Sequence, residues 1–114
     1  MKAMEAITRA NALRPNVIPE SQMAGWLAEL DGKLAELLRV EPKESPYPED
    51  WELLMPFPVD NIYELYLCAR IDNAQQETED YENDMVIFNA ALDEAKAWWI
   101  RHNPPRRTRG WITI

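Results

Sequence analysis

The stretch that most constrains this chain runs from Asp60 to Ala74, DNIYELYLCARIDNA. Stepped at about 100° per residue, its apolar side chains Ile62, Tyr63, Leu65, Tyr66, Leu67, Cys68, Ala69, Ile71 and Ala74 reach almost every direction. A helix that is apolar all round has to be touched by neighbours on several sides. Glu64, Arg70, Asp72 and Asn73 fall between those directions and make no broad wet face. The segment therefore reads as a buried central post, on which the other helices or another copy of the chain must lean. Its side chains read as core ahead of any catalytic role.

A chain of 114 residues has room for one domain with a real core. It holds only three glycines, Gly25, Gly32 and Gly110. That scarcity argues against a many-turned β protein and against a glycine-rich phosphate loop. The lone cysteine, Cys68, rules out an intrachain disulfide and reads as a thiol in a reducing compartment. No apolar run approaches the ~18 residues of a membrane span, and no charged-then-apolar leader opens the sequence. The expectation is a chain that neither spans a membrane nor is secreted.

The remaining elements group around the central post. Ala3, Ile7, Ala10 and Leu13 recur as one narrow apolar stripe, predicting a short helix over 3–13 that Pro15 closes. Pro19 suits the first turn of a second helix over 20–39. Met23, Trp26, Leu27, Leu30, Leu34, Leu37 and Leu38 form its apolar face, with Glu20 and Arg39 at the dipole ends they favour. Gly25 and Gly32 share a face and either admit a close neighbour or are simply tolerated.

Residues 41–58 hold five of the nine prolines, so no helix runs through them. Trp51 to Met55, WELLM, fits one short strand or a single turn. Tyr47, Trp51, Leu53, Leu54, Met55 and Phe57 are too apolar for plain disorder. The segment reads as an ordered arm packed on its own domain or on a neighbour. A single helix from 60 to 102 would be about 65 Å long, too long for a compact domain. A bend near 76–81 therefore separates a third helix over 60–76 from a fourth over 81–102. Tyr81, Met85, Phe88, Leu92, Ala95 and Trp99 alternate at four and three, a seam of nearly three heptads that Pro104 and Pro105 terminate. The expected fold is all-α: a four-helix domain over 1–103 with a proline-rich arm, then an extended basic tail over 104–114.

Chemistry is thin by comparison. His102 stands at a helix end, where the dipole explains it without a ligand role. Cys68 has only Arg70 close in sequence, and reads as an inert core thiol. Asp72, Glu77, Glu79, Asp80, Glu82 and Asp84 form an acidic run that helical spacing scatters, without the glycine and ligand order of a calcium loop. Glu64 and Asp72 lie on nearly one face and suit buried salt bridges to Arg70 or to an arginine elsewhere. No catalytic residue, cofactor or metal site is assigned.

Charge points to partners. Residues 1–100 carry all twenty acids against eight bases, −12; residues 101–114 add four arginines and no acid, +4, giving the net −8. A body so acidic repels phosphates over most of its surface. The tail differs. Arg106, Arg107 and Arg109 precede Trp111, Ile112 and Ile114, and Trp with Arg is the composition of a binding hot spot. These six residues are the candidate protein-binding site. The bland alternative is a tail that folds back on its own domain or frays.

The order of the segments AITRANALRPN, AGWLAELDGKL, FPVDNIYELYLCARIDNAQQE and YENDMVIFNAALDEAKAWW resembles small proteins encoded among the head and head–tail joining genes of tailed phages and prophages. The resemblance covers more than half the chain and rests on order rather than on one short motif. It implies a head–tail connector (adaptor or head-completion) subunit at the head–tail junction of a virion. Such subunits form a ring, expected to be dodecameric, beneath the portal protein. They meet other neck or tail-completion proteins and let DNA pass without specific binding. They carry no catalytic residues. Heterologous contacts of the kind a ring needs fit an acidic body, an apolar arm and a basic aromatic tail. The competing class is an acidic mimic of DNA that inhibits a nucleic-acid-binding host protein, a role for which the arginine tail is superfluous.

Overall fold

A computed structural model describes residues 1–41 and 50–103. Four helices follow in order: α1 Ala3–Leu13, α2 Glu20–Leu38, α3 Asn61–Ala74 and α4 Thr78–His102. Among the described residues there is no strand, only one isolated antiparallel bridge between Lys2 and Glu52. The all-α expectation holds, with boundaries within three residues of those read from the periodicity.

α3 is the post its composition demands. It packs on α1, α2 and α4, most extensively on α4. Ile62, Tyr63, Leu67 and Ile71 are completely buried, each apolar side chain contributing roughly 1.5–3 kcal/mol relative to exposure. Leu65, Tyr66 and Arg70 are half-buried, so the helix has a rim but no wet face. The turn to α4 needs neither glycine nor proline. Gln75 ends α3, Gln76 takes the left-handed conformation at φ 62, and the Glu77 amide donates to the Asp72 carbonyl. The bend lies at 75–77, so Glu79 and Asp80 join the first turn of α4, where acids suit the dipole.

The expectations for Leu13 and Arg39 are corrected, and of the two readings of Gly25 and Gly32 the structure favours tolerated glycines. Leu13 is 54% exposed, and Ala6 takes its place on the buried stripe. The reason lies one residue on: Arg14 turns inward to acids on α3 and α4, which leaves Leu13 facing out. A Cβ placed on Gly25 or Gly32 would meet nothing within 4 Å, so neither glycine admits a close neighbour. α2 ends in a Schellman arrangement, with Arg39 left-handed at φ 57 and the Val40 amide donating to the Ala35 carbonyl. Arg39 thus closes the helix beyond its last turn instead of supplying a charge within it.

The arm packs in cis where it is described. Trp51, Leu53, Met55 and Val59 are buried in the common core, while Phe57 is exposed. The backbone of Trp51 to Leu53 crosses α1's start: the Ala3 amide donates to the Trp51 carbonyl and the Leu53 amide to that of Met1. WELLM is therefore neither a paired strand nor a single turn, but an extended strap with one bridge. Residues 42–49 of the arm lie outside the described residues.

α4 is the edge of the bundle. Phe88 and Ala95 are buried and Tyr81, Met85, Leu92 and Trp99 half-buried, as the seam requires. Val86, Ile87 and Ile100 are exposed. With 25 residues against α3's 14, α4 outruns its partner by roughly 16 Å at 1.5 Å per residue. The body is correspondingly elongated, 56 × 30 × 20 Å.

Candidate interaction surface

Where α4 runs past α3, its C-terminal end comes alongside the C-terminal end of α2 and leaves a half-open groove of about 500 Å³. Leu37, Leu38 and Val40 line one side, and Trp99, Ile100 and Asn103 the other. Sequence periodicity assigns Leu37 to the core face of α2, yet it is 59% exposed. Ile100 is 58% exposed. Leu37 lies on the apolar face of α2 by helical spacing and Ile100 lies outside the α4 seam; α4 lacks α3 to close against at this end. The groove is the consequence of unequal helix lengths, which residue patterns alone do not encode.

The tail residues singled out for binding, Arg106, Arg107, Arg109, Trp111, Ile112 and Ile114, lie outside the described residues. What the structure does place is their point of departure: Asn103, the last described residue, is itself part of the groove wall. His102 stacks on Trp98 with ring centroids 4.1 Å apart, and its Nδ1 lies 2.9 Å from the Trp98 carbonyl oxygen. It finishes α4 as a helix-end residue.

Two polar clusters, one buried and one half-buried, hold the body in shape. In the first, Asp31 of α2 is 4% exposed and accepts the Tyr63 hydroxyl at 2.6 Å, the Leu54 amide at 3.1 Å and the Trp51 indole N–H at 3.3 Å. Tyr63 in turn accepts the Met55 amide at 2.8 Å. Burial, then the neighbouring Asp31 charge, pushes the Tyr63 phenol far up, so it stays a donor. The cluster fastens the strap to α2 and α3. Sequence reasoning passed over Asp31, although its spacing from Leu27, Leu34 and Leu38 places it on α2's apolar face. A carboxylate on a core face is the signal that could have found it.

In the second, Arg14 donates from Nε to Asp72 of α3 at 3.1 Å and from Nη2 to Asp84 of α4 at 3.2 Å. One guanidinium thus joins the end of α1 to two other helices. The expected partnership of Asp72 with an arginine is present, and the arginine is Arg14. Arg70 goes elsewhere, over the Trp26 ring at 4.7 Å and to the Tyr66 hydroxyl at 3.0 Å. Asp84 leaves Oδ2 buried without a hydrogen-bond partner. Burial first, and then the Asp72 carboxyl beside it, pushes the Asp84 carboxyl up to about 6 against the pull of Arg14. Cys68 borders the same cluster: burial pushes its thiol up to about 11, outweighing Arg14, the base its sequence neighbours do not reveal.

Among the described residues, no group of three or more His, Cys, Asp and Glu is placed to hold a metal ion. No described helix is long and apolar enough to cross a membrane. No protein-family model, curated protein or solved structure matches the chain.

Proposed function

We propose that this protein is an assembly subunit of a tailed phage or prophage, a head–tail connector that joins a ring beneath the portal. The observation that carries this reading is the end of α4. An open apolar groove there stands beside the departure point of a basic segment rich in Trp and Ile. An adhesive segment and an apolar surface at one end of an elongated helical body suit heterologous assembly, in which unlike patches meet. The acidic body supports the same reading, since a ring of such subunits lets DNA pass without holding it. The resemblance in segment order to connector proteins supplies the specific setting.

The test is to mix the purified chain with the portal protein encoded beside it and image the product. A ring attached to the portal is the expected result, and removal of residues 104–114 should abolish attachment while the helical circular dichroism signal persists. A chain that ignores the portal, stays monomeric and binds a basic nucleic-acid-binding protein would replace this reading with acidic mimicry.

A further inference from the structure

We infer that the groove between the ends of α2 and α4 receives the turn between α1 and α2 of a second copy of this chain, with Val17 as the inserted side chain. The first ground is the turn itself. Pro15 and Pro19 bracket it, and Asn16 pins it from within. The Asn16 side-chain amide donates to Asn11 Oδ1 and to the Arg14 carbonyl oxygen, both at 2.8 Å, and its Oδ1 accepts the Ile18 amide at 2.8 Å. Ile18 packs against the core. Val17, held between Asn16 and Ile18, is 98% exposed, and Leu13 at the end of α1 is exposed as well. A scattered exposed valine needs no explanation. An apolar side chain presented on a turn fixed in this way is preorganised for contact, so burying it against a partner costs little further ordering.

The second ground is placement. Gln75 Nε2 donates to the Pro15 carbonyl oxygen at 3.4 Å and Arg14 pairs with Asp84, so the turn stands where α2 and α4 begin. The groove stands where they finish. α2 has 19 residues and α4 has 25, which separates the two patches by roughly 28 to 38 Å along the helices. A turn pinned at one end of the body does not reach the groove at the other. Its counterpart is therefore the groove of another copy.

The third ground is charge. The end that carries the turn also carries exposed Glu20, Glu77, Glu79 and Asp80. None of the four joins an ion pair among the described residues. Arg14, the base at that end, is already held by Asp72 and Asp84. The groove lining holds Arg39 and no acid. Arg101 is exposed two positions after Trp99, and Glu36 and Glu41 near Arg39 in sequence do not line the groove. Acidic rim and basic wall steer the apolar contact into one orientation. Such a contact joins unlike patches, so copies add in one direction. It rests on the assembly reading above, for which it names the contact between copies.

Two forms of the full-length chain test it, both in a Cys68→Ala background. One carries Val17→Cys and the other Leu37→Cys, each at an exposed position. In an equimolar mixture under mild oxidation, the mixed disulfide should form at least about tenfold faster than either like pair. Equal rates, faster like pairs or no mixed disulfide overturns the inference. A second measurement avoids the cysteine variants. In sedimentation, Val17→Asp should raise the dissociation constant between copies by about tenfold or more while leaving the helical circular dichroism signal unchanged. An unchanged constant, or a natural chain that does not self-associate, also overturns it. Portal attachment by a chain that fails both measurements removes this contact and leaves the connector reading standing. A mixed disulfide in a chain that ignores the portal upholds the contact and removes the connector reading.

Discussion

The Tyr63 hydroxyl donates a 2.6 Å hydrogen bond to the Asp31 carboxylate inside the core, and that one contact ties α3 to α2. Asp31 also holds the strap through the Trp51 indole and the Leu54 amide. Among the described residues it accepts from three donors on two elements. A buried charge so supplied is tolerable, and a buried donor left alone is not.

Asp31→Ala should therefore destabilise the fold by about 3–5 kcal/mol, because it strands the donors while opening a small void. Tyr63→Phe should cost less, about 2 kcal/mol, by leaving the Met55 amide unpaired and Asp31 one donor short. Urea unfolding followed by circular dichroism measures both. Proteolysis at Trp51–Met55 should accelerate in either variant. A loss below about 1 kcal/mol for Asp31→Ala would mean that water replaces the lost acceptor.

The second cluster predicts a pH dependence. Asp84 holds its proton to about 6 in the folded chain, against a usual carboxyl value of 3.8. The folded state binds this proton more tightly than the unfolded state does. Its contribution is complete below the unfolded value and is lost as pH rises through about 6. Between pH 5 and 7.5 the natural chain should thus lose more stability than Asp84→Asn. The difference should be on the order of 1 kcal/mol after allowance for solvent screening. Urea midpoints at the two pH values decide it, and parallel slopes for the two proteins would remove Asp84 from the account.

Gly25 and Gly32 sit inside α2 with open space where a Cβ would go. Replacing either by alanine should stabilise the chain by about 0.5–1 kcal/mol, since the backbone entropy cost falls and nothing is displaced. The two gains should add. Thermal unfolding of the single and double variants checks this, and a destabilised double variant would reveal a neighbour that only assembly brings.

The helices were legible because each carries its own periodicity: α3's all-round apolarity and α4's seam need no knowledge of partners. That a bend divides α3 from α4 was legible from length alone; expected near 76–81, it lies at 75–77. What escaped was long-range and polar. Nothing around Arg14 in the sequence indicates that it reaches Asp72 and Asp84, which are distant in the chain and meet only once α1 is docked. The groove escaped for a related reason. It is a gap left by α4 outrunning α3, and Leu37 looks like core until the missing neighbour is known. The tail residues nominated for binding lie outside the described residues, and their rationale is the chemistry of Trp beside Arg.

Cys68 offers a direct view of the clamp made by Arg14. The thiol is 4% exposed on α3, and burial holds it up at about 11, so at pH 7.5 it is both covered and protonated. A thiol reagent should therefore label it only through opening of the fold. Arg14 is the residue that fastens the end of α1 against α3 and α4. Arg14→Ala removes that fastening and leaves Asp72 and Asp84 facing each other without a cation, a change expected to cost about 1–2 kcal/mol once the 37% exposure of the arginine side chain is allowed for. Labelling of Cys68 should then accelerate by about tenfold or more under native conditions. Arg9→Ala provides the comparison, because among the described residues Arg9 pairs with exposed Glu5 on the same helix, a contact worth at most about 0.5 kcal/mol. It should leave the labelling rate within about twofold of the natural chain. If Arg14→Ala labels no faster than Arg9→Ala, α1 is held by its apolar contacts and its hydrogen bonds to the strap, and the ion-paired cluster is not what secures it.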